Sequence, residues 1–167
     1  MDAFLKWIAD NPSYAHYLVI GLACFEALVG VGLFISGALL LSVAIFLYTQ
    51  QLISIEAILV LAFTGALIGD QSGYWLGRWI GPAFHTSKFA ARYRRHIERT
   101  EALLRRYGWG AILIGRIIPA IRSIVPLVTG ISGYNFLKYI TFDLLAVGIW
   151  TLLLGLAVVS ASGIFTG

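Results

Sequence analysis

Apolar residues are laid along this chain in blocks rather than in stripes. Four of them, Tyr14–Tyr48, Leu52–Leu67, Trp109–Ile131 and Phe136–Ile164, are each at or near the ~20 residues that carry a helix across a bilayer. Tyr14–Tyr48 is too long for one crossing and too short for two with a turn. Glycines at Gly21, Gly30, Gly32 and Gly37 are the expected breaks, and a re-entrant hairpin followed by a partial helix accounts for the length. Ahead of it, Met1–Pro12 sets Phe4, Leu5, Trp7 and Ile8 among Asp2, Lys6 and Asp10. That is the pattern of a short interfacial helix over residues 1–13, stopped at Asn11–Pro12, with Tyr14 and Tyr17 at headgroup level. Thr49–Ser54 reads as a loop, after which Glu56 opens a helix at the end where an acid suits the dipole.

That helix continues into GALIGDQSGYWLGRWIG, Gly65–Gly81. On an ideal helix Asp70, Gly73, Tyr74, Gly77 and Gly81 fall within an arc of about 100°, and Gly73, Gly77 and Gly81 make two successive small-xxx-small steps. The glycines predict close packing of a neighbouring helix. Asp70 shares their face and so points into the bundle, either as half of a structural ion pair or as a site residue. Arg78 lies near the end of the segment and can snorkel. In the last block, Asn135 and Lys138 sit near an interface, Asp143 is near enough to it to be solvated yet could reach Arg116 or Arg122 and reads as structural, and Gly148 and Gly155 are available for packing.

Composition agrees with the blocks. The 167 residues are 59% apolar and only 12% charged, with a mean hydropathy of +0.86, which excludes an ordinary soluble domain. The one cysteine, Cys24, excludes an intramolecular disulfide framework, and its apolar setting suits packing better than nucleophilic or metal chemistry. No basic n-region precedes the first block, so the chain reads as a mature membrane protein. The remaining charge gathers in HTSKFAARYRRHIERTEALLRR, His85–Arg106, where seven cations (Lys88, Arg92, Arg94, Arg95, Arg99, Arg105, Arg106) face Glu98 and Glu101, a net +5. Such a loop is cytoplasmic by the positive-inside rule. Phe89, Tyr93, Ile97, Leu103 and Leu104 recur at near-helical spacing, which predicts an amphipathic helix against anionic lipid headgroups; nucleic acid is the weaker reading of a basic run pinned between membrane segments. His85 and His96 have no metal-ligand spacing with any Cys, Asp or Glu.

The chemistry concentrates in GRIIPAIRSIVPLVTGISG, Gly115–Gly133, where Arg116 and Arg122 interleave with Pro119 and Pro126 inside an apolar run. A guanidinium stays charged and a proline removes a donor that lipid cannot replace, so this stretch should line a protein-enclosed polar cavity. Six residues apart, the arginines would sit about 240° apart on a continuous helix. Turns at Pro119 and again near Pro126 would let both converge. Two convergent guanidiniums match a phosphate, with Ser123, Thr129 and glycine amides such as that of Gly130 to complete its shell. The alternative is that the arginines only neutralise Glu26, which lies deep in the first block, and Asp70. No His or Ser/Asp nucleophile constellation accompanies them, so no catalytic residue, cofactor or metal is assigned and a lipid phosphatase is the weaker reading.

GALIGDQSGYWLGRWIG, a basic loop and GRIIPAIRSIVPLVTGISG in that order resemble the DedA family, also called the VTT or SNARE-associated domain, from about Glu26 to Trp150. The resemblance implies an all-α polytopic membrane fold. Two re-entrant helical hairpins face each other in an inverted repeat, residues 14–82 and 108–167, joined by the loop at 83–107 within a single domain. It also implies a lipid-moving role in a bacterial inner membrane: a transporter or flippase for undecaprenyl phosphate, or a phospholipid scramblase, with a non-transporting assembly protein as a further alternative and a homodimer left open. The matching positions are Glu26, Asp70, Arg116 and Arg122. One departure stands out: where the family often has a Pro-Gly-acid step, this chain has Ser36-Gly37-Ala38, which puts coupling to protons through paired hairpin carboxylates in doubt.

Overall fold

A computed structural model describes residues 12–32, 37–81, 92, 94–108, 110–118 and 121–166. Among them there are seven helices and no strand: α1 (Pro12–Ala27), α2 (Gly37–Thr49), α3 (Ile55–Ile80), α4 (Arg94–Tyr107), α5 (Gly110–Ile117), α6 (Val125–Ile131) and α7 (Phe136–Thr166). The expected interfacial helix lies outside the described residues except at its last two positions, as do Pro119, Ser36, His85 and residues 82–91 of the basic loop.

Among the described residues, only α3 and α7 are long and apolar enough to cross a membrane, and just a third of each apolar window is buried inside the protein. The rest faces outward: Val60, Trp79, Leu152 and Leu156 are all more than half exposed. A soluble core helix would hide such residues, and a lipid-facing one displays them. The other helices are short. At 1.5 Å per residue, α5 and α6, with eight and seven residues, rise only about 12 and 10 Å and cannot span.

Local chemistry sets the bounds of α3. Ser54 caps its start by accepting the Ala57 amide at 3.3 Å, and Glu56 sits in the first turn. Gly81 ends it with φ of +55°, donating its amide back to the Gly77 carbonyl. A Cβ on Gly81 would meet nothing within 4 Å, so this glycine serves as a left-handed terminator; its predicted role in packing is corrected. Gly21, expected to break the first block, sits inside α1, and the break falls at Leu28–Gly32, where Gly30 takes φ of +82°.

The glycine ladder of α3 runs instead from Gly65 to Gly77 in steps of four. Its first half carries α1: a Cβ on Gly65 would collide with the Ile20 carbonyl, and one on Gly69 would stand 2.6 Å from the Cys24 carbonyl. Its second half carries α6, where a Cβ on Gly77 would collide with the Leu127 carbonyl and one on Gly130 with the Tyr74 carbonyl. The two backbones therefore touch through glycines contributed by both. A core of Val19, Ala23, Leu40, Leu47, Ile58, Ala62, Leu154 and Val158 joins α1, α2, α3 and α7. Tyr74 of α3 stacks on Tyr139 of α7 at 4.5 Å and donates its hydroxyl to the Tyr134 carbonyl at 2.6 Å. The helix predicted in the basic loop is α4; it rests on α6 through Leu104, with Arg95, Arg99 and Arg106 exposed.

Seam glycines and open ones should therefore respond differently to a side chain. Gly77→Val is expected to cost about 1–3 kcal/mol or more by overpacking, whereas Gly148→Ala, whose Cβ meets nothing within 4 Å, leaves stability unchanged or slightly raised. Thermal unfolding of both variants in one detergent checks the contrast. Gly148 was expected to pack closely and does not; Gly155 does, with Leu59 as its neighbour.

Candidate functional site

Two breaks in helices deliver the charged residues. Glu26 is the next-to-last residue of α1, and the chain then turns, the Gly32 amide donating to the Leu28 carbonyl at 2.8 Å. Where it returns, Gly37 at the start of α2 passes so close to Glu26 that a Cβ would stand 2.8 Å from Oε1. Opposite, Arg116 lies in the last turn of α5, and Arg122 emerges from the turns at 121–124. Pro126 falls in the first turn of α6, where a missing amide costs little. It starts a helix, contrary to the expected second break. Interruption of the helix between α5 and α6 is what aims guanidiniums six residues apart in one direction.

Each guanidinium meets a carboxylate. Arg122 Nη1 pairs with Glu26 Oε1, and Arg116 Nη1 donates to Asp70 Oδ2. Arg116 Nη1 also lies 3.8 Å from Asp143 Oδ1, and its guanidinium carbon stands 5.5 Å from the centre of the Trp150 ring, a cation–π contact. Gln71 Nε2 donates to Asp143 Oδ2 at 2.9 Å, and the Tyr139 hydroxyl donates to the Asp70 backbone carbonyl at 3.3 Å. Asp143 is thus buried among charged partners; the expectation that it is solvated near an interface is corrected. The carboxylate side chains are only 2% exposed, against 12% for Arg116 and 16% for Arg122. The acids lie behind, and the arginines stand in front of them.

Two spaces share this partition. Behind it, a crevice of about 10 Å³, room for a single water, is lined by Glu26, Asp70, both arginines and Trp150. In front lies a cavity of about 260 Å³ lined by Leu113, Arg116, Arg122, Ala146, Ile149, Trp150 and Leu153. Among the described residues, no carboxylate lines the larger space. An anion entering it meets two guanidinium forks, whose Nε atoms have no hydrogen-bond partner among the described residues, and otherwise apolar walls.

The residues expected to complete a phosphate shell do not line the larger cavity. Thr129 is buried within α6 and gives its hydroxyl to the Val125 carbonyl at 2.6 Å, Gly130 packs on α3, and neither these nor Ser123 lines the cavity. Both spaces also leave out Gly73 and Pro126, which meet each other where α3 and α6 touch. The sequence reading missed Trp150 and Gln71; it brought Asp143 within reach of an arginine, which Arg116 fulfils, but left it in solvent. A signal existed: Asp143 and Trp150 are seven apart, within about 20° on a helix, so an acid and an amphipathic ring share one face of an apolar segment.

The VTT domain matches residues 14–160. Inner membrane protein YabI of Escherichia coli (strain K12) is 27% identical over 151 residues, 90% of this chain and 59% of that protein. Undecaprenyl phosphate transporter A of Bacillus subtilis (strain 168) is 30% identical over 103 residues, 56% of this chain and 52% of its own. An uncharacterized membrane protein of Mycobacterium tuberculosis, Rv0364, is 30% identical over 103 residues, 61% of this chain and 43% of that one. The chain spans about half the length of the curated relatives it matches, and no solved structure matches it. Since the VTT domain accounts for most of its length, the chain belongs to the DedA family of membrane proteins.

Proposed function

We propose that this protein binds a lipid phosphate and moves it across the membrane, with Arg116 and Arg122 holding the phosphate and the hydrocarbon lying against Leu113, Ala146, Ile149 and Leu153. The observation that carries this reading is the placement of both guanidiniums, without their acids, at one end of an otherwise apolar cavity of about 260 Å³. That volume is near the lower end for ligand pockets and suits a headgroup with the first carbons of a chain. Ile149 and Leu153 line the cavity yet are half exposed on the outside of α7, so a long tail has a sideways path into lipid. Among candidate lipids, undecaprenyl phosphate is favoured because the Bacillus subtilis relative is named as its transporter. Hydrolysis has less support, since the cavity lining holds no nucleophile with a base beside it.

The membrane arrangement belongs to the same proposal. α1 with α2, and α5 with α6, are short helix pairs that enter the membrane and return, each followed by a long helix, α3 or α7, carrying a buried aspartate. This order is that of two inverted repeats facing each other across the charged crevice. The exposed arginines of α4 support a connecting loop on the cytoplasmic face of the inner membrane, against anionic headgroups.

Structural and ligand-binding roles of the arginines separate in a double-mutant cycle. Arg122→Gln alone strands the buried Glu26 and is expected to cost about 3–5 kcal/mol; adding Glu26→Gln recovers most of it, while phosphate-lipid binding stays lost in both. Thermal unfolding and a lipid-binding titration, run in parallel, check this, and full binding by the double variant would remove Arg122 from the site. Arg122→Lys retains the charge but loses the fork, for an expected loss of at least tenfold in affinity.

Liposomes containing purified protein should move a labelled polyprenyl phosphate between leaflets, and should leave a labelled neutral lipid in place. Equal movement of phosphatidylcholine would instead identify a phospholipid scramblase, and movement of neither would favour a non-transporting role.

A further inference from the structure

Among the described residues, three side chains line both the single-water crevice and the larger cavity: Arg116, Arg122 and Trp150. Two of them are tethered from behind by carboxylates, Arg116 by Asp70 and Arg122 by Glu26. Trp150 is seated by packing. Its indole is half-buried against a cluster of Ala27, Ala66 and Val147, which come from α1, α3 and α7.

Packing accounts for the bulk of the ring but not for what its face meets. The guanidinium carbon of Arg116 stands 5.5 Å from the ring centre, inside the ~6 Å over which an aromatic face attracts a cation. Tryptophan is the strongest side chain in this contact, and the attraction grows as the cation is withdrawn from water. The Arg116 side chain is only 12% exposed.

This contact differs in kind from the ion pairs. A guanidinium is planar, so it donates hydrogen bonds through its edges and meets an aromatic ring through its face. Arg116 gives Nη1 to Asp70, its Nε has no partner among the described residues, and Asp143 stays 3.8 Å away. Edge partners can therefore be exchanged while the face contact persists. A phosphate in the larger cavity requires such an exchange, because Asp70 lines only the crevice behind and the anion would lie in front. With Arg116 drawn back on Asp70 the ring contact is near its outer limit, and it has room to tighten.

We propose that Trp150 is a positioning residue for phosphate binding: its indole face seats Arg116 while the guanidinium changes its edge partner from Asp70 to the phosphate. The proposal rests on the reading of the arginines as a phosphate site and adds to it a side chain that acts through Arg116. Weakening the face biases Arg116 toward Asp70, so the affinity for phosphate falls.

The test keeps the shape of the ring and changes its charge distribution. Tryptophan at position 150 alone is replaced, by nonsense suppression in the full chain, with mono-, di-, tri- and tetrafluorotryptophan, and dodecyl phosphate is titrated in phosphatidylcholine bilayers. Fluorine draws electron density from the ring face and so weakens its hold on a cation. The expected affinity falls stepwise along the series, by roughly threefold to thirtyfold at its end, while thermal unfolding of the ligand-free protein stays nearly level. Fluorination also makes the ring more apolar, so a ring that met only the hydrocarbon would bind as well or better. Affinity that is level or rising along the series overturns the proposal and leaves the phosphate reading standing. Failure of dodecyl phosphate to bind the unsubstituted protein overturns the phosphate reading, and this proposal with it. Trp150→Phe, which keeps a weaker face, is expected to bind more tightly than Trp150→Leu, which keeps bulk without one; equal affinities overturn the role of the face. The fluorinated series decides the matter if either variant fails to fold.

Discussion

A guanidinium buried away from water keeps its charge at any accessible pH, so a fold that encloses Arg116 and Arg122 has to bring carboxylates to them. Three helices do so. Glu26 arrives on α1, Asp70 on α3 and Asp143 on α7, while the arginines come from α5 and the turn after it. These pairs tie the two short helix pairs to the two long helices, and they do so where neither backbone nor lipid offers another partner. Desolvating so many charges brings little net stability, but any arrangement that separates a pair strands a charge. The cost of the wrong arrangement selects the right one.

Close approach of the helices is the second requirement, and glycine meets it. With side chains on Gly65, Gly69, Gly73 and Gly77, α1 and α6 would stand further from α3, and Glu26 would lose its place in the crevice. In lipid, where burying apolar surface gives no drive, this contact rests on dispersion between closely packed backbones. Charge fixes which helices meet, and glycine fixes how near.

Much of this was legible in the residues. Arginines and prolines inside an apolar run announced a broken segment around a polar space, Gly73 and Gly77 announced a close seam, and the motifs identified the family. What failed depended on depth or on a partner. Gly81 has the spacing of the seam yet lies one turn past its end, where only the backbone angle shows its role. Thr129 and Ser123 looked like ligands because they are polar; a buried hydroxyl in a helix can satisfy itself on the carbonyl four residues back, as Thr129 does. Asp143 sits in the second turn of its helix, which in sequence suggests solvent. The broken α5–α6 segment folds back beside that turn and buries it, a fact of tertiary structure that no periodicity encodes.

The seam between α3 and α6 has a mechanical consequence. Where Gly77 faces the Leu127 carbonyl and Gly130 faces the Tyr74 carbonyl, main chain lies on main chain, with no rotamers able to repack in a displaced register. Such a joint behaves as a weld. Across the larger cavity, α5 meets α7 through Leu113, Ile149, Trp150 and Leu153, side chains that can change rotamer as the helices slide. Compliance is therefore distributed unevenly: the α3–α6 seam is stiff, the face of α7 that carries Trp150 is soft, and a change in the cavity's width falls on α7.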